Sequence, residues 1–353
     1  MLILALIGVS GITSFAATFA LIRLAPAWGL LDHPSPDRKH HQAPTPVVGG
    51  LGFALGVIAF LALSGAILTP TFFWLVAAIL VLAFVGVADD RFDLKWYWRI
   101  SAQVFAALLI ALPGRMTIDS LGISGMVDLH LGDWAVPFTI FAVVGVVNAI
   151  NMIDGMDGLA GTLAVISLLA MALLASDPIT RMFLWAVIAA LIGFLAFNLR
   201  RPGMPRAACF LGNSGSAVLG LLLAWSAIAV THNAAPGPSV APWLVALPIM
   251  DCLIQIARRL LDRRSPFSAD RGHLHHLLMS KQWSVGAILC LASGIQVAMI
   301  AIGVALYAVD LDPVFLMLIF VAILPLLGLA YWLLNRNQPL TEEALKLKPE
   351  QAW

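Results

Sequence analysis

Charge is what this sequence has little of. Only 11% of its 353 residues are Asp, Glu, Lys or Arg, and 61% are hydrophobic, whereas a soluble globular domain is about 25% charged. No soluble core could hide this much apolar surface, so the composition excludes an ordinary soluble protein. The net charge of +1 implies no nucleic-acid partner and leaves any attraction for anions to local clusters.

Cysteine and polar linkers are scarce as well. Cys209, Cys252 and Cys290 are far apart in the chain, which argues against a disulfide framework or a zinc ribbon. The first apolar run lacks a preceding basic segment, so we expect it to remain as a span and not to be a cleaved signal peptide. With no soluble domain, linker or low-complexity segment, we expect one membrane domain over residues 1–334 and a short polar tail over residues 335–353.

Long apolar runs make up most of the chain. About 20 consecutive apolar residues are needed for a helix to cross a bilayer. We count about eleven such runs, at roughly 2–24, 48–66, 72–88, 98–112, 136–152, 159–175, 181–198, 213–231, 241–259, 285–308 and 315–334. The sequence therefore predicts an all-α, polytopic membrane protein of about eleven transmembrane helices.

The basic residues predict an orientation. If the N-terminus lies outside, one set of loops falls in the cytoplasm, at about 25–47, 89–97, 153–158, 199–212, 260–284 and the tail. All but two of the 20 Lys and Arg residues then lie on the inner side, the exceptions being Arg115 and Arg181. Because cytoplasmic loops are enriched in Lys and Arg, we predict an outer N-terminus and a cytoplasmic C-terminus.

The stretch over residues 148–161 separates two apolar runs and is unusually polar. Polar side chains recur at every third position, at Asn148, Asn151, Asp154 and Asp157. If the stretch is helical, these side chains line one side, because residues three apart share a helix face. The alternative is a loop at a helix end, where Gly155 and Gly158 end the helix and the carboxylates face water. Insertion of a carboxylate at the centre of a membrane span costs about 2.5–3.5 kcal/mol. We therefore expect carboxylates close to a span to be retained for a specific role.

The first predicted inner loop, residues 32–50, is basic and rich in proline, which forbids a regular helix. It offers Arg38, Lys39, His40 and His41 as contacts for an anion, and it ends in Gly49 and Gly50, where we expect backbone to come close. The alternative is an ordinary basic cytoplasmic loop.

The second predicted inner loop begins with the adjacent carboxylates Asp89 and Asp90. Two like charges 4 Å apart repel by about 4 kcal/mol at an effective dielectric constant near 20. We therefore expect a cation beside them, which is either a divalent metal or one of Arg91, Lys95 and Arg99. A simple salt-bridged helix end is the alternative.

The predicted topology places the two loops, the 148–158 stretch and two further basic segments on one face. The further segments are residues 200–216 and residues 258–276, which include His273, His275 and His276. Oxygen ligands suit Mg²⁺ and arginines suit phosphate, so this face suits a metal and a polyphosphate. The histidines have no cysteine or fourth ligand at zinc-site spacing, which disfavours zinc. Asp251 is either a polar helix–helix contact, which we favour, or part of the site.

Five short motifs follow one another along this face. They are Arg38-Lys39 with His41 and Gly49-Gly50; Asp89 to Leu94; Asn148-x-x-Asn-x-x-Asp-Gly-x-Asp-Gly158; Gly212-x-x-Gly-Ser216; and Ser265 to His276. Each is modest alone, but five in order are specific. In these motifs the chain resembles the bacterial undecaprenyl-phosphate N-acetylglucosamine-1-phosphate transferases, part of the polyprenyl-phosphate N-acetylhexosamine-1-phosphate transferases (glycosyltransferase family 4). The resemblance runs from Asp32 to about Leu278.

The resemblance implies an enzyme in the bacterial inner membrane with its site on the cytoplasmic face. It implies transfer of N-acetylglucosamine-1-phosphate, or a related N-acetylhexosamine-1-phosphate, from a UDP-sugar to undecaprenyl phosphate with release of UMP, as the first step of a cell-envelope polysaccharide pathway. The implied cofactor is Mg²⁺, with Mn²⁺ as an alternative. The implied partners are undecaprenyl phosphate, a UDP-N-acetylhexosamine and the lipid bilayer, with a homodimer as a further alternative.

The resemblance also implies roles for individual residues. Asp89 and Asp90 are expected to be catalytic, and Asn151 and Asn213 are expected to bind the metal. Because a phosphate monoester is mostly ionised at pH 7, Asp89 acts either as a general base or by orienting the attacking phosphate. Substrate contacts are expected from Arg38, Lys39, His41, Asn148, Asp154, Asp157, Arg271, His273, His275 and His276.

One position departs from the family pattern. The pattern Gly-Asp-x-Gly-Ser has a metal-binding Asp where this chain has Asn213. An amide oxygen can bind a hard cation, but it brings no charge, so the affinity for Mg²⁺ should fall. The chain is then an active enzyme with a weaker metal site, a catalytically degenerate relative, or a protein with an engineered Asp→Asn change.

Other classes of membrane protein fit the sequence less well. A transporter holds ionisable groups and broken helices near the middle of the membrane, whereas here such groups lie at the predicted inner helix ends. A CDP-alcohol phosphotransferase has an Ala-Arg after its Asp-Gly, and the run Asp157 to Gly161 lacks the Arg.

Overall fold

The computed structural model describes residues 2–33, 44–124, 127–232, 237–265 and 272–336, and within them the chain is mostly helical. The helices are α1 Leu2–Trp28, α2 Gly49–Leu63, α3 Pro70–Phe92, α4 Trp96–Ala111, α5 Ala135–Ile153, α6 Leu159–Leu174, α7 Pro178–Asn198, α8 Gly212–Thr231, α9 Ala241–Leu244, α10 Ala246–Leu261, α11 Leu274–Ser280, α12 Val285–Ala308 and α13 Pro313–Arg336. Two small antiparallel hairpins pair β1 Leu31–Asp32 with β2 Thr45–Pro46 and β3 Ser120–Ser124 with β4 Val127–His130.

Each of the eleven predicted apolar runs forms helix. The run at 241–259 is divided between α9 and α10, and α11 and the two hairpins were not predicted. Among the described residues, seven helices are long and apolar enough to cross a membrane, and the bent pair α9–α10 makes up to eight. The helices α2, α4 and α6 have 15 or 16 residues, which is short of the roughly 20 needed to span the hydrocarbon core.

The helix α8 lies at the centre of the bundle, where it contacts α2, α3, α5 and α6. It is almost wholly buried, and small residues let its neighbours approach closely. A Cβ added to Gly50 of α2 would lie 2.0 Å from the Cα atom of Gly215, and one added to Gly86 of α3 would lie 2.2 Å from the Cα atom of Ser214. Such small-residue contacts are typical of helix packing in membranes. The prediction that backbone comes close at Gly50 is thus confirmed.

The helix ends and loops that carry the predicted site lie together at one end of the bundle. The segment between α1 and α2 is bound to the loop before α8, because the backbone N–H of Phe210 donates to the carbonyl of Pro46 at 2.8 Å and that of Gly49 donates to the carbonyl of Phe210 at 3.0 Å. The ends of α3, α5 and α10 and the starts of α4 and α8 meet at this same end. This arrangement positions the polar groups described below.

The α9–α10 pair bends by 80° at Val245. A break inside a span frees backbone groups that lipid cannot satisfy, and Gln296 of α12 supplies the missing partners. Its Oε1 accepts from the N–H of Leu247 at 2.9 Å, and its Nε2 donates to the carbonyl of Leu244 at 3.0 Å. The bend places the C-terminal part of α10, with Arg259, beside the cavity described next.

A polar cavity at one end of the helix bundle

A cavity of about 310 Å³ opens between the ends of six helices. Its polar lining residues come from α3, α4, α5, α8, α10 and the segment around α11: Asp89, Trp96, Arg99, Gln103, Asn148, Asn151, Asn213, Arg259, His273 and His276. The predicted residues Asp89, Asn148, Asn151, Asn213, His273 and His276 are therefore brought together. Apolar side chains such as Leu82, Val85 and Ile100 form other parts of the cavity wall.

Asp89 provides a carboxylate at the cavity wall. It lies in the last turn of α3 and is 4% exposed. One carboxylate oxygen accepts from the backbone N–H of Leu94 at 2.9 Å, and the other faces Nη1 of Arg99 at 3.5 Å. Of the three cations expected near the acid pair, Arg99 is the one that pairs with Asp89.

Asp90 points away from Asp89 and towards the start of α8. Its Oδ1 accepts from the backbone N–H of Asn213 at 2.8 Å, and its Oδ2 accepts from that of Ser214 at 3.3 Å. The first N–H groups of a helix have no partner within the helix and favour an anion. Asp90 therefore fixes the position of Asn213, and it does not itself line the cavity.

The amides form two side-chain pairs inside the bundle. Nδ2 of Asn148 donates to Oε1 of Gln103 at 2.6 Å, which ties α5 to α4. Nδ2 of Asn151 donates to Oδ1 of Asn213 at 3.2 Å and to Oγ of Ser216 at 2.8 Å, which ties α5 to α8. Because both pairs line the cavity, its amide oxygens are held in defined positions.

The polar stretch over residues 148–161 does not form one continuous helix face. The helix α5 ends at Ile153, and Gly158, with a φ of +78°, begins the turn into α6. Asp157 turns to the loop before α8, where its Oδ2 accepts from Nε of Arg200 at 2.7 Å and from the N–H of Ala207 at 3.0 Å. The alternative of a helix-end loop is correct for this half of the stretch, although Asp157 is salt-bridged.

Asp154 lies just beyond α5, between the other acids. Desolvation by the surrounding protein raises the pKa of its carboxyl from 3.8 to about 7, and the charges of Asp90 and Asp157 raise it further. Neither Asp154 nor Asp157 lines the cavity. Their expected contacts with substrate therefore remain a prediction.

The three histidines form a compact cluster with different surroundings. His273 and His276 line the cavity, whereas His275 is 1% exposed and neither of its ring nitrogens has a hydrogen-bond partner. Burial lowers the pKa of His275 from 6.5 to about 3, and the charge of His276 adds to this effect. A Cβ on Gly155 would lie 2.2 Å from Nε2 of His275. His275 is thus a neutral ring packed against the loop after α5.

Four predicted substrate contacts lie outside the described residues. They are Arg38, Lys39, His41 and Arg271. They belong to segments that adjoin the site in sequence, and their roles remain predictions.

Two cavity residues were not singled out from the sequence. Gln103 is a lone amide within an apolar run, and polar residues inside membrane segments are costly and often functional; that signal could have found it. Trp96 begins α4 and lines the cavity although it is about half exposed. Aromatic residues are common at membrane interfaces, so residue type and position did not distinguish Trp96 from its neighbours Tyr97 and Trp98.

The donors in the cavity suit a hard cation. Asp89, Asn151 and Asn213 supply carboxylate and amide oxygens, and Mg²⁺ usually takes one or two carboxylates and fills its octahedron with water and phosphate oxygens. In the part of the chain that the structure describes, no group of three or more His, Cys, Asp or Glu is arranged to hold a metal ion. The oxygen donors therefore fit Mg²⁺ that arrives with a phosphate ligand.

Fold and cavity together define a class: a helical membrane protein whose helix ends enclose a polar, partly cationic cavity. Comparison with known proteins gives the family. The profile of glycosyl transferase family 4 matches residues 72–231, a range that holds Asp89, Asn151 and Asn213. The chain belongs to this family.

Three relatives that match over most of their length share the name undecaprenyl-phosphate alpha-N-acetylglucosaminyl 1-phosphate transferase. The protein of Salmonella typhi is 34% identical over 257 residues, which cover 71% of this chain and 69% of the relative. That of Haemophilus influenzae is 35% identical over 277 residues, covering 76% and 78%. That of Escherichia coli is 32% identical over 263 residues, covering 73% and 71%.

Proposed function

We propose that this chain transfers N-acetylglucosamine-1-phosphate, or a related N-acetylhexosamine-1-phosphate, from a UDP-sugar to undecaprenyl phosphate and releases UMP. The observation that supports it best is the convergence of Asp89, Asn151, Asn213 and Arg259 on one cavity in a member of this family. Such a cavity offers oxygen donors for a cation and a guanidinium for phosphate. The proposed reaction is the first step of a cell-envelope polysaccharide pathway.

In the proposed reaction an oxygen of undecaprenyl phosphate attacks the β-phosphorus of the UDP-sugar. The bond between the β-phosphorus and the bridging oxygen breaks, and UMP leaves with that oxygen. The attacking phosphate is mostly ionised at pH 7, so Asp89 serves to orient it or to accept its remaining proton. Arg259, His273 and His276 line the cavity and hold phosphate oxygens, where fixed charges stabilise the charge that develops.

We propose Mg²⁺ as the cofactor, with Mn²⁺ as an alternative, held by Asn151 and Asn213 together with substrate oxygens. When bound, it would neutralise charge on the diphosphate. The amide at Asn213 brings no negative charge, so a weaker metal site than a carboxylate would give is part of the proposal.

The proposed setting is the bacterial inner membrane, with the cavity on the cytoplasmic face. The supporting observation is that all but two of the 20 Lys and Arg fall, along the sequence, in the predicted inner loops or at the helix ends beside them. The short helices α2, α4 and α6 would complete eleven crossings, with the N-terminus outside. Residues 1–334 would form one catalytic membrane domain and residues 335–353 a cytoplasmic tail, and a homodimer is an alternative to a monomer.

Incubation of purified protein with labelled UDP-N-acetylglucosamine, undecaprenyl phosphate and Mg²⁺ tests the proposal. A butanol-soluble labelled lipid together with UMP is the expected result. In a second assay the protein is reconstituted into sealed vesicles. Accumulation of labelled sugar inside them without a lipid product would favour transport instead. Absence of both products, from protein that is folded and supplied with Mg²⁺ or Mn²⁺, would favour a catalytically degenerate relative.

A further inference from the structure

Asp251 is a buried carboxylate behind the cavity wall. It lies on α10, is 1% exposed, and does not line the cavity. Its Oδ2 lies 2.5 Å from Nδ1 of His273, and its Oδ1 accepts from the N–H of Leu274 at 3.0 Å and from the hydroxyl of Tyr331 at 2.9 Å. These partners come from the segment at α11 and from the distant helix α13.

Stability does not account for a carboxylate at this position. Burying a charge is costly even when donors surround it, and replacing a buried polar cluster by apolar residues is often neutral or stabilising. The helix–helix contact expected at Asp251 is present, since Tyr331 of α13 donates to it. The same carboxylate also holds a histidine of the cavity wall, which a simple helix contact would not do.

The contact with Asp251 determines how His273 faces the cavity. An ionised carboxylate only accepts hydrogen bonds, so Nδ1 of His273 must carry the proton between them. Nε2 is then the ring nitrogen left for the cavity, which His273 lines beside Arg259. To donate to an anion, Nε2 must carry a proton as well, so the substrate contact needs the doubly protonated ring, whose charge faces the carboxylate of Asp251. The ring is also held by its face, because His275 stacks on it with centroids 5.8 Å apart and planes 20° apart.

We infer that Asp251 and Tyr331 are positioning residues for His273: Asp251 fixes its ring orientation and its Nδ1-protonated form, and Tyr331 fixes Asp251. The inference rests on the proposed function in that His273 contacts an anionic substrate. It extends the site to α13, a helix that contributes no residue to the cavity wall among the described residues.

Three substitutions separate positioning from packing. In Asp251→Asn the N–H of Leu274 still needs an acceptor, so the new amide turns its Nδ2 towards His273. A donor at this place disfavours a proton on Nδ1 and therefore the doubly protonated ring that a phosphate contact needs. For histidines that bind metals, removing the group that orients the ring typically costs about 10–100-fold, and we expect a similar range for His273. We expect a fall in kcat of about 100-fold for Asp251→Asn and about tenfold for Tyr331→Phe, with KM for the UDP-sugar changing less. Tyr307→Phe is the matched control, because it makes the same chemical change on α12, and it should leave kcat unchanged.

A double-mutant cycle with His273→Gln tests whether Asp251 acts through His273. If it does, Asp251→Asn adds no further loss of kcat once His273 is replaced, since coupled residues are non-additive. Losses that multiply would overturn the inference, as would full kcat in folded Asp251→Asn and Tyr331→Phe proteins. Size-exclusion profiles and thermal unfolding in detergent identify variants that fail to fold.

A spectroscopic measurement is independent of turnover. Nitrogen-15 NMR of histidine-labelled protein in lipid nanodiscs, with the His273 signals identified by their loss in His273→Gln, should show Nδ1 protonated in the unchanged protein and no longer so in Asp251→Asn. An unprotonated Nδ1 in the unchanged protein would overturn the inference even if UMP is released. Conversely, an inactive protein that shows the expected signals would contradict the proposed function and leave the role of Asp251 supported.

Discussion

Asn151 and Asn213 are joined side chain to side chain at the cavity wall, by a hydrogen bond of 3.2 Å from Nδ2 of Asn151 to Oδ1 of Asn213. The same Nδ2 donates to Ser216 at 2.8 Å. The nitrogen of Asn151 is therefore turned towards α8, and its Oδ1 is the end left for the cavity. Asn151 and Asn213, on different helices, thus direct amide oxygens towards the same cavity, and neither side chain carries a negative charge.

Asn213→Asp should strengthen the binding of Mg²⁺. A carboxylate at this position can still accept from Asn151, and it adds a charge that a hard cation favours. We expect higher activity or a lower Mg²⁺ concentration for half-maximal UMP release. A Mg²⁺ titration of UMP release checks this, with Ser216→Ala as a control that changes the same hydrogen-bond network without adding charge. An unchanged titration curve and an unchanged maximum would contradict the prediction.

The adjacent acids Asp89 and Asp90 should respond differently to the same change. Asp89→Asn keeps the bond from the N–H of Leu94 but loses the charge at the cavity wall, so we expect kcat to fall by about 10²–10⁴-fold, the range for a group that moves or orients a proton. Its midpoint of thermal unfolding should change little, because the cost of desolvating the buried Asp89 carboxylate offsets what its 3.5 Å contact with the partly exposed Arg99 contributes.

Asp90→Asn should instead lower stability. Its carboxylate accepts from two N–H groups at the start of α8, and an amide can accept from only one while its nitrogen repels the other. Loss of a helix cap costs about 1 kcal/mol, and displacement of Asn213 should reduce activity as a consequence. Thermal unfolding in detergent and UMP release, measured on both variants, test the contrast; equal effects of the two changes on stability would refute it.

Gly50→Ala should destabilise the bundle where α2 meets α8. The added Cβ would lie 2.0 Å from the Cα atom of Gly215, so two backbones would have to separate, and overpacking of this kind costs about 1–3 kcal/mol. Gly145→Ala on α5 is the matched control, because nothing lies within 4 Å of its added Cβ. A lower unfolding midpoint for Gly50→Ala alone is expected, and equal midpoints would contradict the close packing at Gly50.

The helices could be predicted because apolar runs of sufficient length have few alternatives in a membrane. Their convergence at one end could be predicted because the basic residues sort to one side. The reversal at Gly158 was only one of two open alternatives, since spacing by three fits both a helix and a turn. The direction of Asp157 towards Arg200 depends on where the loop before α8 folds, which no local pattern encodes.

The pairing of Gln103 with Asn148 shows a second limit of prediction from the sequence. Gln103 is a lone amide in its apolar run, and the periodic spacing that marks Asn148 does not reveal its partner. Only the packing of α4 against α5 brings the two side chains to 2.6 Å. Tyr331 and Asp251 are 80 residues apart in the sequence, and their hydrogen bond could not be predicted for the same reason. A polar residue inside an apolar run can mark a candidate, as at Asp251, but its partner becomes known only from the tertiary structure.

Asp154 should make stability depend on pH between about 4 and 7. Desolvation raises the pKa of its carboxyl from 3.8 to about 7 in the folded protein, so the folded state holds the proton more tightly than the unfolded state does. Its contribution is therefore fully present below pH 3.8 and is lost as pH rises to about 7, where the ionised group destabilises the fold. Asp154→Asn removes that penalty and should raise the unfolding midpoint at pH 8 but not at pH 4.

The measurement is the unfolding midpoint at pH 4, 5, 6, 7 and 8 in detergent with a chelator, for the unchanged protein and for Asp154→Asn. Asp177→Asn serves as the control. Burial raises the pKa of Asp177, but the hydrogen bonds from Thr180 and Ile179 outweigh it and the net shift is downward, so Asp177 is ionised in both states above pH 5. Its substitution should leave the slope above pH 5 unchanged. Parallel curves for the unchanged protein and Asp154→Asn would show that Asp154 titrates as it does in water.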